Sequence, residues 1–126
     1  MLRSIDHVVL TASDLDATVK FYVDVLGAEL VRFDDGKLAI QVGDQKINLH
    51  PATAPLEPHA TRPEPGSLDI CFVTDLTLDE VITRLQSAEI EMEEGPVAQT
   101  GARGQMNSVY FRDPDGNLIE IATYGL

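Results

Sequence analysis

The order of apolar and polar positions predicts one strand, one helix and three strands in the first half of the chain. Residues 5–11 read IDHVVLT, a run of branched apolar side chains that is typical of a strand. Asp14 is a suitable helix start, because a short acidic side chain accepts hydrogen bonds from the free amides of the first turn. The predicted helix covers 14–26, and Gly27 ends it. Its apolar residues at helical spacing are Leu15, Val19, Tyr22 and Leu26.

Three short apolar runs, AELVRF, KLAIQV and KINLH, follow this helix. They are separated by Asp-Gly and Gly-Asp pairs, which favour tight turns, so they are predicted to be strands. Residues 51–66 contain five of the seven prolines and little apolar material, which favours an exposed connector. Module one is therefore predicted over 1–50 and the connector over 51–66.

The second half repeats this order of elements. SLDICFVT is a predicted strand, and Thr77 with Glu80 forms the capping pattern of a second helix. EIEMEE is predicted to be a short strand, and 107–112 is predicted to pair with 117–123 across an Asp-Pro-Asp-Gly turn. Module two is thus predicted over 67–126, within one domain that spans 1–126.

The repeated order predicts an α+β fold of two βαβββ modules, each forming a curled mixed sheet. Two such sheets, paired within the chain or with a second subunit, would enclose a cleft. A binding site is expected there.

Composition narrows the classes of partner. The formal net charge of -12 repels phosphate backbones and anionic lipids, so neither nucleic acid nor a membrane is an expected partner. The single cysteine, Cys71, cannot form an internal disulfide, and no apolar stretch approaches the roughly 20 residues that cross a bilayer. A soluble, cytoplasmic protein with a small-molecule substrate is expected.

Candidate metal ligands occur at related places in the two modules. His7 lies in the first strand of module one and Asp69 in the first strand of module two. Glu120 lies in the last strand of module two, and Asn48 and His50 share a face of the last strand of module one. If the modules pair about a twofold axis, these groups converge on one point. Such a mixed nitrogen and oxygen set suits Fe²⁺, Mn²⁺, Ni²⁺, Co²⁺ or Zn²⁺.

Both ends of the chain resemble the vicinal oxygen chelate superfamily, which includes glyoxalase I, fosfomycin-resistance and bleomycin-resistance proteins and extradiol dioxygenases. IDHVVLTASDLDATVKFYVDVLG resembles its opening strand and helix, and YFRDPDGNLIEI resembles its closing hairpin, with the ligand glutamate at Glu120. GDQKINLH, PGSLDICFVT and EEGPVAQTGARG resemble a subgroup named as glyoxalase-domain-containing proteins.

The resemblance implies roles for particular residues. It implies His7, His50, Asp69 and Glu120 as candidate metal ligands, with Glu120 or Asp69 also able to move a proton. Glyoxalase I-like members usually have His where this chain has Asp69, and Glu or Gln near Asn48, so His50 is a candidate for the missing imidazole. The candidate substrate-binding residues are Asn48, Arg103 and Tyr110.

Each role has a structural alternative. His50 precedes Pro51 and could be an exposed strand-end residue, and Asp69 could pair with Arg103 or Arg112. Cys71 is predicted to be a small buried apolar residue. His59 lies in the connector, where a solvated loop residue is the simpler interpretation.

Three functions are compatible with these residues. The first is a divalent-metal-dependent lyase or isomerase of the glyoxalase I type, acting on a small substrate with vicinal oxygens. The second is an extradiol dioxygenase that holds Fe²⁺ with His7, His50 and Glu120. The third is a non-catalytic protein that sequesters a ligand, like bleomycin-resistance members. A homodimer is expected.

Overall fold

The computed structural model describes residues 1–125 and contains two compact units, one from Met1 to Ser67 and one from Leu68 onwards. Each unit has one strand, one helical segment and three further strands, and each forms a four-stranded sheet with both parallel and antiparallel neighbours. The predicted α+β fold of two βαβββ modules is confirmed.

The first unit contains four strands, a short α-helix and a π-helical segment. In chain order the elements are β1 (His7–Ala12), α1 (Leu15–Lys20), the π-helical segment (Phe21–Val25), β2 (Glu29–Phe33), β3 (Lys37–Val42) and β4 (Gln45–Pro51). The sheet order is β1-β4-β3-β2, with β1 and β4 parallel.

Local sequence explains both ends of this helical region. The Asp14 side chain accepts a hydrogen bond from the backbone N–H of Ala17 at 3.2 Å, which satisfies one free amide of the first turn. At the other end Gly27 adopts a φ of 75°, a conformation that glycine takes without steric cost. The predicted helix over 14–26 is therefore present, with its second half wound as a π-helix.

The second unit contains four strands and one α-helix. In chain order the elements are β5 (Asp69–Val73), α2 (Leu78–Ser87), β6 (Glu94–Gly101), β7 (Gly104–Arg112) and β8 (Leu118–Thr123). The sheet order is β5-β8-β7-β6, with β5 and β8 parallel. The Thr77 side chain accepts a hydrogen bond from the backbone N–H of Glu80 at 3.2 Å, as the capping pattern predicts.

One predicted strand was wrong. EIEMEE is not a strand: Glu89 ends the helical region at a φ of 58°, and the strand begins only at Glu94. The residues that pair with β7 are EGPVAQTG, and the hairpin closes where Gly101 lies opposite Gly104. The acidic run mimicked the polar-edged alternation of a strand, whereas the glycines inside the true strand made it look like a loop.

Alternation of burial distinguishes two faces of each sheet. In the second unit α2 packs on β7, and Val109, Phe111 and Ile119 are fully buried. In the first unit α1 contacts β4, where Ile47 and Leu49 are buried. We call the opposite side of each sheet, which carries the intervening residues, its open face.

A buried polar turn fixes the start of β8. The Asp113 carboxylate accepts hydrogen bonds from the Asn117 side-chain amide at 2.7 Å and from its backbone N–H at 3.0 Å. The Asn117 side-chain oxygen accepts from the backbone N–H of Leu68 at 2.9 Å, so the turn also positions the residue before β5. Between Met1 and Gly125, no helix has the length and apolarity that a membrane span requires.

Candidate functional site

Glu120 lies on the open face of the second unit, between Cys71 and Tyr110 on the two neighbouring strands. It is opposite Cys71 on β5 and opposite Tyr110 on β7, so the three side chains form one row across the sheet. The Cys71 thiol donates a hydrogen bond to the Phe72 carbonyl oxygen at 3.9 Å, and the Glu120 charge acts on both this thiol and the Tyr110 hydroxyl. The strand register thus provides a carboxylate flanked by two neutral donors.

The second carboxylate oxygen of Glu120 is unusual. Glu120 Oε2 is buried and has no hydrogen-bond partner within residues 1–125. A buried carboxylate oxygen without a partner is costly, so this position favours a cation or a ligand donor. This is what a metal ligand requires.

Burial and the Glu120 charge keep both neighbours protonated. Desolvation, then hydrogen bonding to Glu120 and its negative charge, raise the pKa of Tyr110 from 10.0 to about 12. Desolvation, followed by the charge and hydrogen bond of Glu120, raises the pKa of the Cys71 thiol from 9.0 to about 11. At neutral pH both groups therefore remain hydrogen-bond donors.

Asp69 shares this open face and is exposed. Its register partner on β8 is Leu118, two positions from Glu120, which corresponds to roughly 7 Å along the sheet. Arg112 does not pair with Asp69, because it binds both carboxylate oxygens of Glu93 at 2.9 and 3.2 Å. Asp69 is therefore a solvated carboxylate beside Glu120.

His7 begins β1 on the open face of the first unit and bonds to its neighbour. Its Nδ1 lies 2.8 Å from Asp6 Oδ1. A carboxylate at Nδ1 favours the tautomer that carries its proton there, which leaves the Nε2 lone pair for a cation. This arrangement is common for histidines that bind metals.

The register separates His7 from His50. His7 is opposite Lys46, whereas His50 is opposite Thr11, four positions further along β1. Four positions correspond to about 13 Å along the strands, so the two imidazoles are not neighbours. Asn48 is opposite Val9 and lies only two positions from His7. Its Oδ1 is also buried and lacks a partner among the described residues.

Arg103 lies away from the Glu120 row, and His59 is in the connector of the first unit. The Arg103 guanidinium stacks on the Tyr124 ring at 4.3 Å, and the Arg103 backbone N–H donates to the Tyr124 hydroxyl at 3.1 Å. This is at the tip of the β6–β7 hairpin, and the six positions from Gly104 to Tyr110 span about 20 Å. His59 is an exposed connector residue whose Nδ1 is 2.8 Å from the Ala60 carbonyl oxygen.

No cluster of three or more His, Cys, Asp or Glu side chains able to hold an ion is present in the chain up to Gly125. A cavity of about 470 Å³ lies at the start of α2, lined by residues such as Leu76, Thr77 and Asn107. None of the predicted site residues lines this cavity.

Sequence reasoning missed two neighbours of the candidate ligands. Cys71 was predicted to be buried, but it is exposed and lies opposite Glu120. The period-two pattern of β5 carried this signal, because Cys71 is two residues after Asp69 and must share its face. Asp6 was missed as the Nδ1 partner of His7, although adjacency alone made the contact possible.

Comparison with known proteins gives the family. A family model described as the Glyoxalase/Bleomycin resistance protein/Dioxygenase superfamily matches residues 4–121. The chain belongs to this superfamily. The closing motif, which ends at Ile121, and the positions of His7 and Glu120 lie within the matched range.

Individual relatives cover almost the whole chain. The chain is 50% identical to Virulence protein STM3117 of Salmonella typhimurium over 124 residues, which is 98% of this chain and 86% of the relative. The crystal structure of that protein matches with a TM-score of 0.95, 48% identity and 98% coverage of both chains. The chain is also 46% identical to the glyoxalase domain-containing protein RDO1 of Mycosarcoma maydis, covering 98% of this chain and 69% of the relative.

A structure with an enzyme name is more distant. Lactoylglutathione lyase from Agrobacterium tumefaciens matches with a TM-score of 0.74 and 31% identity, covering 100% of this chain and 99% of the other. Members of the superfamily commonly use a divalent metal and bind small molecules. The donors of this chain fit such an ion individually, because Glu120 Oε2 lacks a partner and His7 Nε2 is available.

Proposed function

We propose that this protein is a divalent-metal-dependent lyase or isomerase of the glyoxalase I type, acting on a small substrate with vicinal oxygens. The observation that carries the proposal is the buried, unpartnered Glu120 Oε2 in a chain of this superfamily. A divalent ion bound there supplies positive charge that stabilises negative charge developing on substrate oxygens. Fe²⁺, Mn²⁺, Ni²⁺, Co²⁺ and Zn²⁺ are all compatible with the donor types.

In this proposal His7 and Glu120 are the principal metal ligands. Asp6 holds the His7 imidazole through Nδ1, which would leave Nε2 as the atom that binds the ion. Cys71 and Tyr110 flank Glu120 on the neighbouring strands, and the unpartnered Oε2 is the proposed donor atom. The Tyr110 hydroxyl can donate a hydrogen bond to a substrate oxygen, since its pKa of about 12 keeps it protonated.

Asp69 is the proposed proton carrier. It is exposed on the same open face as Glu120 and is two positions away, so its carboxylate is free to act while Glu120 binds the ion. In an isomerisation, Asp69 would take a proton from the carbon next to a carbonyl and return it to the neighbouring carbon. The substrate is neither oxidised nor reduced overall, so no co-reactant is needed.

The register argues for this chemistry over ring cleavage. An extradiol site of His7, His50 and Glu120 needs both imidazoles on one ion, but they lie about 13 Å apart along the strands. Asn48 is nearer to His7, and as a neutral amide it suits a hydrogen bond to substrate rather than a charge-balancing ligand. We accordingly assign His50 no role in the proposed metal site.

Elemental analysis of protein purified without chelator tests the proposal. About one metal per chain is expected, with loss in His7→Ala and Glu120→Gln and retention in His59→Ala, a matched histidine control in the connector. Added metal should then support turnover of a hemithioacetal of an α-ketoaldehyde, and Asp69→Asn should abolish turnover while leaving the metal bound. A protein that binds its ligand but takes up none of the five ions would instead be a sequestering protein.

The expected homodimer and cytoplasmic location remain part of the proposal. Light scattering coupled to size-exclusion chromatography measures the first directly. A mass equal to one chain at micromolar concentration would contradict the dimer.

A further inference from the structure

A cluster of basic side chains lies on the open face of the first unit, at the end away from His7. Phe33 on β2 is opposite Lys37 on β3, and His50 on β4 is opposite Thr11 on β1. Because Leu38 is opposite Leu49, Lys37 comes opposite His50 at the end of the β3–β4 ladder. Residues directly opposite share a face, so these side chains form one row across the sheet.

A second lysine reaches the same place from further down the sheet. The Lys46 backbone on β4 is opposite His7 on β1, but the Lys46 ammonium lies 3.4 Å from the centre of the Phe33 ring. The ring face attracts the cation and fixes a side chain that would otherwise be flexible. Phe33 therefore holds the Lys46 ammonium at the row that contains Lys37, the strand partner of Phe33.

Lys37 and Lys46 thus bring two positive charges to this row of the sheet, and like charges near each other repel. The chain carries twenty-one acidic residues, yet no carboxylate lies within ion-pair distance of Lys37 or Lys46 in residues 1–125. Asp34 and Asp35 in the following turn are exposed, and Glu29 shares the face only at the opposite end of β2. A negative ligand would supply the missing charge.

His50 adds a polar group of suitable chemistry to this row. Burial, and then the positive charge of Lys37, lower the pKa of His50 below its usual 6.5. The register agrees with this influence of Lys37, because Lys37 and His50 are opposite each other on β3 and β4. At neutral pH the uncharged ring offers an N–H donor to an anion bound beside Lys37.

We propose that Lys37, Lys46 and His50 form a binding site for a small oxyanion, a carboxylate or phosphate group of the substrate, with Phe33 as the positioning residue for Lys46. This inference rests on the proposed function, because the oxyanion is taken to be part of the substrate of that proposed enzyme. Since this row is about 13 Å from His7 along the strands, the anionic group lies at the far end of an elongated substrate.

Nuclear magnetic resonance titration of the full chain with inorganic phosphate and, separately, with acetate tests the site at constant ionic strength. At least one anion should give saturable shifts at Phe33, Lys37 and His50. Saturation with phosphate alone assigns a phosphate group, and saturation with acetate alone assigns a carboxylate. No saturation with either anion overturns the proposal.

Variants then distinguish specific binding of the oxyanion at this site from non-specific attraction of the anion to any exposed lysine. Lys37→Gln and Lys46→Gln should each weaken the affinity by about tenfold, the size expected for one charge-assisted contact. Lys46→Arg keeps both the charge and the aromatic contact and should retain binding, and Phe33→Leu should weaken it by misplacing Lys46. Lys20→Gln, an exposed lysine at the end of α1, is the control and should bind like the wild type.

Two results would contradict the site in the variants. One is an affinity in Lys37→Gln and Lys46→Gln within about twofold of the wild type, and the other is an equal loss in Lys20→Gln. The same titration on His7→Ala distinguishes the two proposals, because oxyanion binding should persist there even though the proposed metal is lost. Metal uptake without oxyanion binding would overturn only the present inference.

Discussion

Asn48 and Glu120 occupy equivalent positions in the two units, and each has a buried side-chain oxygen without a hydrogen-bond partner among residues 1–125. Each lies in the last strand of its unit, paired in parallel with the first strand. Asn48 lies two residues along β4 from the register partner of His7. Glu120 likewise lies two residues along β8 from the register partner of Asp69. The same location thus carries a neutral amide in one unit and a carboxylate in the other.

This equivalence predicts opposite effects of exchanging acid and amide. In metal-free protein, Glu120→Gln removes an imperfectly compensated buried charge and should raise the free energy of unfolding by about 1 kcal/mol. Asn48→Asp introduces such a charge and should lower the free energy of unfolding by about 1–3 kcal/mol. Urea denaturation in the presence of chelator measures both. Destabilisation by Glu120→Gln under these conditions would mean that Oε2 is well compensated without a ligand.

Tyr110 should titrate abnormally because of burial and Glu120. Its pKa of about 12 in the native protein should fall in Glu120→Gln, yet stay above 10.0, since desolvation is the larger cause and is retained. Because the native pKa is raised, the protonated phenol stabilises the fold. That contribution is fully present below pH 10.0 and is lost as the pH rises towards 12.

Titration of the Tyr110 ring signal by nuclear magnetic resonance measures this pKa, with Tyr124 as an internal comparison. An unchanged Tyr110 pKa in Glu120→Gln would show that the carboxylate does not influence the phenol. A pKa near 10.0 in the wild type would contradict the desolvated environment beside Glu120 itself.

The fold was readable from the sequence because its signals are local. Asp14, Gly27 and the Thr77–Glu80 pair mark helix ends through contacts within one turn, and the structure contains these ends where they were predicted. The strand prediction for EIEMEE failed because acidic and apolar residues alternate there without a partner strand. Pairing with β7 instead selected the glycine-containing segment from Glu94.

The candidate site was only partly predictable from the sequence, since it depends on the register between strands that are distant in the chain. Parity predicted that Asn48 and His50 share a face, and they do. Parity could not reveal that His50 is opposite Thr11 while His7 is opposite Lys46, because sequence does not fix how far one strand slides along another. For the same reason the contact between Lys46 and Phe33 was not foreseen.

Cys71 should react slowly with thiol reagents although it is exposed. Its pKa of about 11, two units above 9.0, reduces the thiolate fraction about 100-fold at neutral pH. Higher intrinsic nucleophilicity of the thiolate offsets part of this, so the net rate should be about tenfold lower than in unfolded protein. Glu120→Gln should accelerate the reaction by removing the neighbouring negative charge.

Absorbance of released chromophore from a disulfide reagent gives the Cys71 rate, since the chain has no other cysteine. The same measurement in urea supplies the unfolded reference. A native rate equal to the unfolded rate would exclude the desolvated environment beside Glu120.

Gly95 and Gly36 form a matched pair for testing the close approach of β6 to β7. Both have strongly positive φ values, 115° and 101°, so alanine is strained at either position. A Cβ at Gly36 would meet nothing within 4 Å, whereas a Cβ at Gly95 would lie 2.5 Å from the Ser108 carbonyl oxygen and 2.9 Å from the Val109 Cα. Those two atoms are backbone in the centre of the sheet and cannot move aside independently.

Gly36→Ala should therefore cost only its backbone strain, about 1–3 kcal/mol in the free energy of unfolding. Gly95→Ala should cost about 1–3 kcal/mol more, because β6 must move away from the strand that carries Tyr110. Chemical denaturation of both variants measures the difference. Equal losses would show that the β6 irregularity between Glu94 and Val97 absorbs an added methyl group, and that Gly95 is needed for its φ alone.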